Sequence, residues 1–193
     1  MTATAAASLA FCFQAQAQVP PTLGETVVTA NRTPQPLAEV LADVSVIDNA
    51  TIERSGARGV ADLLGRLPGI EFARNGGPGT ATSVFLRGAE SRHTLVYVDG
   101  VRIDSQATGG ATWETIPLAL VDRIEVLRGS AAAIYGSDAI GGVVQIFTKK
   151  GEGVPKPFIS IGGGTYRTAQ VEAGVSGGTD RIDYAISGAH QRS

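Results

Sequence analysis

The chain has 193 residues, including 25 glycines, one cysteine and two histidines, and a formal charge of −2. A lone cysteine forbids an internal disulfide, the Cys/His total falls short of the roughly four ligands of a structural zinc site, and near-neutral charge argues against general nucleic-acid binding, which needs a basic face. A hydrophobic fraction of 43% speaks against disorder; glycine well above the ~7% average points to turns and strands, and no apolar run reaches the ~20 residues of a spanning helix.

Residues 5–13 (AAASLAFCF) form a short apolar stretch followed by Ala15-Gln16-Ala17, the small-x-small pattern that signal peptidase requires. A signal peptide over residues 1–17 is expected, although no Lys or Arg precedes the apolar core. Cys12 falls within it, so the mature chain is expected to lack thiols, which suits an oxidising compartment. Residues 24–32 (GETVVTANR) contain a strand-prone core, but Pro34 and Pro36 follow closely and leave it without an obvious neighbour to pair with.

The next elements alternate. Residues 44–47 read as a strand. Asn49 is expected to cap a short helix through Arg54, with Glu53 in the first turn. Val60, Leu63, Leu64 and Leu67 follow the i, i+3, i+4, i+7 spacing of a helix with one buried face, ended by Pro68-Gly69. Strands are expected over 70–74 and 83–87, separated by a glycine-rich loop (NGGPG, 75–79). Residues 95–98 and 101–103 flank Asp99-Gly100, a dipeptide suited to the positive φ angles of a two-residue hairpin turn. A long loop, 104–115, contains Gly109-Gly110. One helical turn (117–121), a strand (123–127), a short helix capped by Ser130 and a strand (143–148) complete this part. Beyond Pro155, segments 158–164, 167–175 and 181–189 are close to the ~9–11 residues of a tilted membrane strand. In the last, Ile182, Tyr184 and Ile186 share one face. On these residues alone, an ordinary soluble sheet is the alternative.

No catalytic constellation emerges. Gly174-Val175-Ser176-Gly177-Gly178 satisfies G-x-S-x-G, but it lies in a β-turn context rather than the strand–turn–helix of a nucleophile elbow. Phosphate-loop and H-E-x-x-H patterns are absent, and His93 and His190 lie far apart without ligand clusters. The expectation is a non-enzyme with no metal and no cofactor.

The order of motifs resembles the TonB-dependent outer-membrane receptors, and among them the cobalamin transporters. ETVVTANR (25–32) is similar to the TonB box, DLLGRLPGIEFARNGGPGTATSVFLRG (62–88) to the first half of the plug, LVYVDGVRI (95–103) to its central hairpin, and IPLALVDRIEVLRGSAAAIYGSDAIGGVVQIFTKK (116–150) to its last third. The resemblance implies an α+β plug domain, a small mixed sheet with short helices, followed by the first three antiparallel strands of a truncated transmembrane β-barrel. The implied layout is a signal peptide (1–17), an N-terminal segment (18–32) with the TonB box at 25–30, the plug (33–153) and the start of the barrel (154–193). About 22 strands are needed to close such a barrel, so an N-terminal fragment of a larger protein is expected. The implied location is the outer membrane of a Gram-negative bacterium, with barrel lipid contacts and the box in the periplasm.

The resemblance also implies partners. TonB would add a strand to Glu25, Thr26, Val27, Val28, Thr29 and Ala30, with affinity from backbone hydrogen bonds. The two glycine-rich loops would form the floor of the substrate site, with Asn75, Thr80, Ala81, Thr82, Gly109 and Gly110 near cobalamin or another metal chelate. Small Thr and Ala side chains, Pro78 and a second loop carrying Trp113 depart from the cobalamin pattern. Arg87, Arg102, Arg123 and Arg128, with Asp122, Glu125 and Asp138 as candidate partners, would face polar groups of the barrel wall. A stand-alone periplasmic module that binds TonB or substrate is the competing class.

Overall fold

The computed structural model describes residues 27–28, 35–36, 43–77, 79–104, 109–151, 153–164, 169–179 and 182–192. The described elements are β1 (Val27–Val28), β2 (Gln35–Pro36), β3 (Asp43–Ile47), α1 (Asn49–Ser55), α2 (Val60–Leu64), β4 (Ile70–Arg74), β5 (Thr82–Leu86), β6 (Thr94–Val98), β7 (Val101–Arg102), β8 (Val121–Arg128), β9 (Gly142–Thr148), β10 (Lys156–Gly163), β11 (Ala169–Gly178) and β12 (Asp183–Arg192), with short 3₁₀ turns between several of them. The fold class is the expected one: a mixed sheet with short helices, then three antiparallel strands.

The central sheet runs β3-β8-β9-β6-β7. Its β6–β9 pair is parallel and the other pairs are antiparallel. Alternation along each strand sorts side chains between the two faces. Val96, Ile124, Val126, Val144 and Ile146 belong to one cluster with Ile52, Val60, Leu63, Leu64, Val84 and Leu86. Leu95, Leu127 and Val143 point the other way, against Ala132, Ala139 and Tyr135. A sheet covered on both sides needs near-continuous apolar strands, and VVQI in β9 has that character. Each fully buried Val or Leu contributes about 1.5–3 kcal/mol.

The helices cover the first face. In α1 the cap is Asp48, whose Oδ1 accepts from Thr51 N at 2.7 Å. Asn49, expected to cap, is instead the first helical residue, and Glu53 lies beyond the first turn. The reason is backbone geometry: Asp48 is the extended residue (φ −80°, ψ 166°) that can aim a carboxylate back at the free amides. Hydrogen bonding from Thr51, its side chain foremost and then its backbone amide, holds the Asp48 carboxyl below the usual carboxylate range. In α2, Val60, Ala61, Leu63 and Leu64 are all buried. This helix stops at Leu64, before Leu67, which packs on the core from the following turn. Gly65 sits under the Phe72 ring, where a Cβ would lie 2.6 Å from Cδ1, so the chain leaves the helix beside the strand it packs on.

The strand-prone N-terminal segment has a neighbour after all, because Val27–Val28 pairs antiparallel with Gln35–Pro36. Proline is tolerated at the edge of a ladder. Glu25, Thr26, Thr29 and Ala30 lie outside the described residues, as does the whole of 1–17.

Strands β10, β11 and β12 form a separate antiparallel sheet. Its register places Ile159 opposite Ala173 and Gly188, and Ile161 opposite Val171 and His190, on one face. Ser160, Glu172, Gln170 and Ser187 belong to the other. Ile159, Ile161, Val171 and Ile186 are exposed, so the apolar face is uncovered in the chain as described. On the polar face Phe158 lies over Gly174, and Lys149 Nζ stands 5.9 Å from the Phe158 ring centre. The connector from β9 crosses the ends of β11 and β12 at Gly151, where a Cβ would overlap the carbonyl oxygens of Tyr184 and Gly177.

The β6–β7 turn uses Asp99 (φ 47°) and Gly100 (φ 83°), both left-handed as a type I′ turn requires. The Asp99 carboxylate also accepts from Thr148 N at 2.9 Å and Thr148 Oγ1 at 2.6 Å, tying the turn to the end of β9. Asp99→Ala removes both bonds and leaves a Cβ residue in αL; unfolding in urea should show a loss of about 1–3 kcal/mol.

Candidate functional site

The first glycine-rich loop is held by the β4–β5 hairpin, in which Arg74 pairs with Thr82. Asn75 N donates to Ala81 O at 3.2 Å and closes the loop. Asn75 and Ala81 are exposed. Thr80 Oγ1 donates to Gly77 O at 2.8 Å, and Thr82 Oγ1 donates to Thr80 O at 3.0 Å. Thr82 is buried, and its oxygen also accepts from Arg74 Nε at 3.3 Å. Of the four first-loop residues expected to meet substrate, two therefore face outward and two spend their hydroxyls in shaping the loop.

The second loop behaves differently at its two glycines. Gly109 is exposed at φ 82°. Gly110 is buried at φ 134°, and a Cβ there would stand 2.7 Å from Ser91 Oγ and 3.1 Å from Ser91 O. Its lack of a side chain lets the loop lie against the 3₁₀ turn Ser91–His93. From there the chain enters the 3₁₀ turn Trp113–Thr115, with Thr115 Oγ1 donating to Thr112 O at 2.7 Å.

The two loops meet at a polar cleft of about 80 Å³, lined by Arg58, Arg74, Gly79, Thr82, Trp113 and Glu114 among others. Arg74 Nη2 pairs with Asp62 Oδ1 at 3.0 Å, and Arg58 N donates to Asp62 Oδ2 at 3.2 Å. Sequence reasoning passed over Arg58, Arg74 and Glu114 and treated Trp113 as a departure in the loop. The available signal was Trp113 itself, an isolated aromatic in a polar, glycine-rich stretch.

The arginines expected to face the barrel wall sort into three groups. Asp43 is held by Arg87 Nη2 at 2.8 Å and Arg128 Nη1 at 3.1 Å, and Arg128 Nη1 also donates to Ser45 Oγ at 2.8 Å. Arg128 is 5% exposed, and its Nε and Nη2 have no acceptor among the described residues. Arg102 bridges Asp104 at 2.8 Å and Asp138 at 3.1 Å; the Asp104 bond, foremost, holds its guanidinium pKa above the usual value. Asp104 Oδ1 further accepts from Val96 N at 3.0 Å. Arg123 Nε donates to the buried Glu125 Oε1 at 2.9 Å while its guanidinium lies 3.8 Å from the Phe147 ring centre. Asp122 takes no part in these ion pairs. His93 closes the 3₁₀ turn at Ser91–His93, and its carbonyl accepts from Gly141 N at 2.9 Å.

A hairpin-borne loop, a second loop folded against it and a mixed sheet beneath define the architecture of a receptor plug. Residues 36–143 match the family described as TonB-dependent Receptor Plug Domain. The chain belongs to that family. It is 47% identical over 150 residues to the vitamin B12 transporter BtuB of Vibrio vulnificus (strain CMCP6), a match covering 78% of this chain and 24% of that protein. Among solved structures it is similar to the siderophore receptor PirA of Acinetobacter baumannii (29% identity, TM-score 0.62, 77% of this chain and 24% of that one). It is also similar to a variant of the ferric enterobactin receptor PfeA of Pseudomonas aeruginosa (27% identity, TM-score 0.67, 86% of this chain and 26% of that one). The chain spans about a quarter of the length of the relatives it matches.

Gly110→Ala separates a packing role from a contact role. The added Cβ meets Ser91 at an unfavourable φ, so urea unfolding should show a loss of about 1–3 kcal/mol. An unchanged midpoint would mean that the loop stands clear of Ser91.

Proposed function

We propose that the chain carries the plug and first barrel strands of an energy-coupled outer-membrane receptor whose substrate is cobalamin. One observation carries the substrate: the 47% identity over 150 residues to a vitamin B12 transporter. A ferric-siderophore or other metal-chelate receptor is the second reading, favoured by the departures within the first loop. The two-faced sheet of β10–β12, apolar on one side and polar on the other, supports the membrane assignment, since lipid-facing and interior-facing residues alternate along barrel strands.

In this reading substrate sits on the exposed parts of the two loops, with Asn75 and Ala81 on the first and Gly109 on the second, while Thr80, Thr82 and Gly110 hold the loops in shape. The plug closes the barrel until TonB engages the segment at Glu25, Thr26, Val27, Val28, Thr29 and Ala30. Among the described residues, Val27–Val28 pairs antiparallel with Gln35–Pro36, so the segment already takes the extended conformation that an added TonB strand requires.

Calorimetry of the full-length receptor with cyanocobalamin tests the substrate. Binding at micromolar or tighter concentration is expected, and no heat there would overturn cobalamin while leaving the family intact. Val27→Pro tests the box. It removes a backbone donor and fixes φ, so uptake of labelled cyanocobalamin by cells should fall to background while binding to the purified receptor stays unchanged. Uptake at the normal rate would place the TonB contact elsewhere.

A further inference from the structure

Two dipeptides of the domain have the composition that closes a five-membered imide ring. In Asn75-Gly76 and in Asp99-Gly100 the side-chain carbonyl carbon lies one residue before a main-chain nitrogen, and the glycine carries no side chain to hinder their approach. All four residues are exposed, so access to water does not distinguish the pairs. Bonding does.

Asp99 is held on both oxygens. Its Oδ1 accepts from Thr148 N at 2.9 Å and its Oδ2 from Thr148 Oγ1 at 2.6 Å. Its backbone is fixed at φ 47° in the hairpin turn, and an ionised carboxylate resists attack in any case. Asn75 has none of these restraints. Its main-chain N–H donates to Ala81 O at 3.2 Å, but neither its carboxamide nor the Gly76 N–H takes part in a hydrogen bond among the described residues. The neutral carboxamide is free to turn towards the nitrogen that follows it. Asn49 offers the contrast of a third kind: it is half-buried, helical and followed by Ala50, whose Cβ obstructs the same approach.

We infer that Asn75 is a site of spontaneous deamidation, left open by the same fold that closes Asp99. The Gly76 nitrogen loses its proton to solvent base, bonds to Asn75 Cγ and expels the carboxamide nitrogen as ammonia, leaving a succinimide. Water then opens the ring at either carbonyl. One product is an aspartyl residue; the other is an isoaspartyl linkage, in which the chain runs through the former side-chain carbon. Water enters and ammonia leaves, with no oxidant or reductant. Both products put a negative charge on the loop. The isoaspartyl form also adds a carbon to the backbone beside the Asn75 N–Ala81 O bond that closes the loop. The inference depends on neither the substrate nor the TonB assignment.

The test ages the full-length receptor for days in mildly alkaline buffer and follows its tryptic peptides by mass spectrometry. Digestion in heavy-oxygen water marks any conversion that occurs during digestion itself. The peptide that begins at Asn75 is expected to exchange –NH₂ for –OH progressively, several-fold faster than the peptide holding Asn49. Enzymatic methylation of isoaspartyl groups should label the Asn75 peptide of the folded receptor and spare the Asp99 peptide. In guanidinium, where Thr148 no longer holds the carboxylate, labelling of the Asp99 peptide should rise several-fold. An Asn75 peptide that converts no faster than the Asn49 peptide overturns the site. Equal labelling of the Asp99 peptide in folded and denatured receptor overturns the protection by Thr148.

Discussion

The structure depends on β9 lying between β8 and a parallel β6. A strand so placed loses water on both edges and both faces, so all its backbone groups must be paired within the sheet, and its side chains must be accommodated on either side. Val144 and Ile146 point into the helix-covered core, and Val143 points into the opposite cluster. Gln145 is the polar exception. It is 8% exposed and donates to Tyr135 Oη at 2.7 Å, in register with Glu125 on β8 and Tyr97 on β6. The row Glu125–Gln145–Tyr97–Arg102 therefore crosses the sheet as a polar band, with Glu125 bonded to Arg123, Gln145 to Tyr135 and Arg102 to Asp104 and Asp138, and the Tyr97 and Tyr135 rings 5.6 Å apart. The parallel β6–β9 pair in turn fixes where the β6–β7 hairpin begins and hence where the second loop leaves the sheet.

That geometry separates the loop residues that hold the fold from those left exposed. Hydroxyls of Thr80 and Thr82 and the bare backbone of Gly110 are consumed in holding the loops against the domain. Asn75, Ala81 and Gly109 stay at the surface. Arg74 belongs to both categories, since it anchors the hairpin through Asp62 and Thr82 and also lines the cleft. A site built this way tolerates change at its outward residues far better than at the ones beneath them.

Much of the domain was legible because its local signals agree with its tertiary packing. Asp99-Gly100 between two apolar runs favours a two-residue turn with both φ angles positive, and the structure has it. The spacing of Val60, Leu63 and Leu64 marked the buried helix face, although Gly65 beneath Phe72 ended the helix a turn early. Two kinds of information were not legible. One is which of two adjacent capping residues takes the extended conformation, which favoured Asp48 over Asn49 through backbone angles that no propensity encodes. The other is long-range pairing: the ladder between Val27–Val28 and Gln35–Pro36, the Asp43–Arg128 contact across 85 residues, and the meeting of Trp113 with Arg58 and Arg74. Gly109 and Gly110 are neighbours in sequence, yet only the fold distinguishes the exposed one from the packed one.

The strand order also dictates when the domain can take shape. β3 is the first strand of the central sheet in sequence, yet it lies at an edge and finds its partner only in β8, while β6 must await β9. Neither pairing is local, and loop closure over such separations is slow relative to helix or hairpin formation. α1, α2 and the β4–β5 and β6–β7 hairpins can form as the chain emerges, but they have no sheet to settle on until Thr148 is available. A nascent chain stopped short of β9 would hold its hairpins without a core, with the apolar faces of Val96 and Leu95 in water. The sheet is thus completed late, because β9 alone joins the β3–β8 pair to the β6–β7 hairpin.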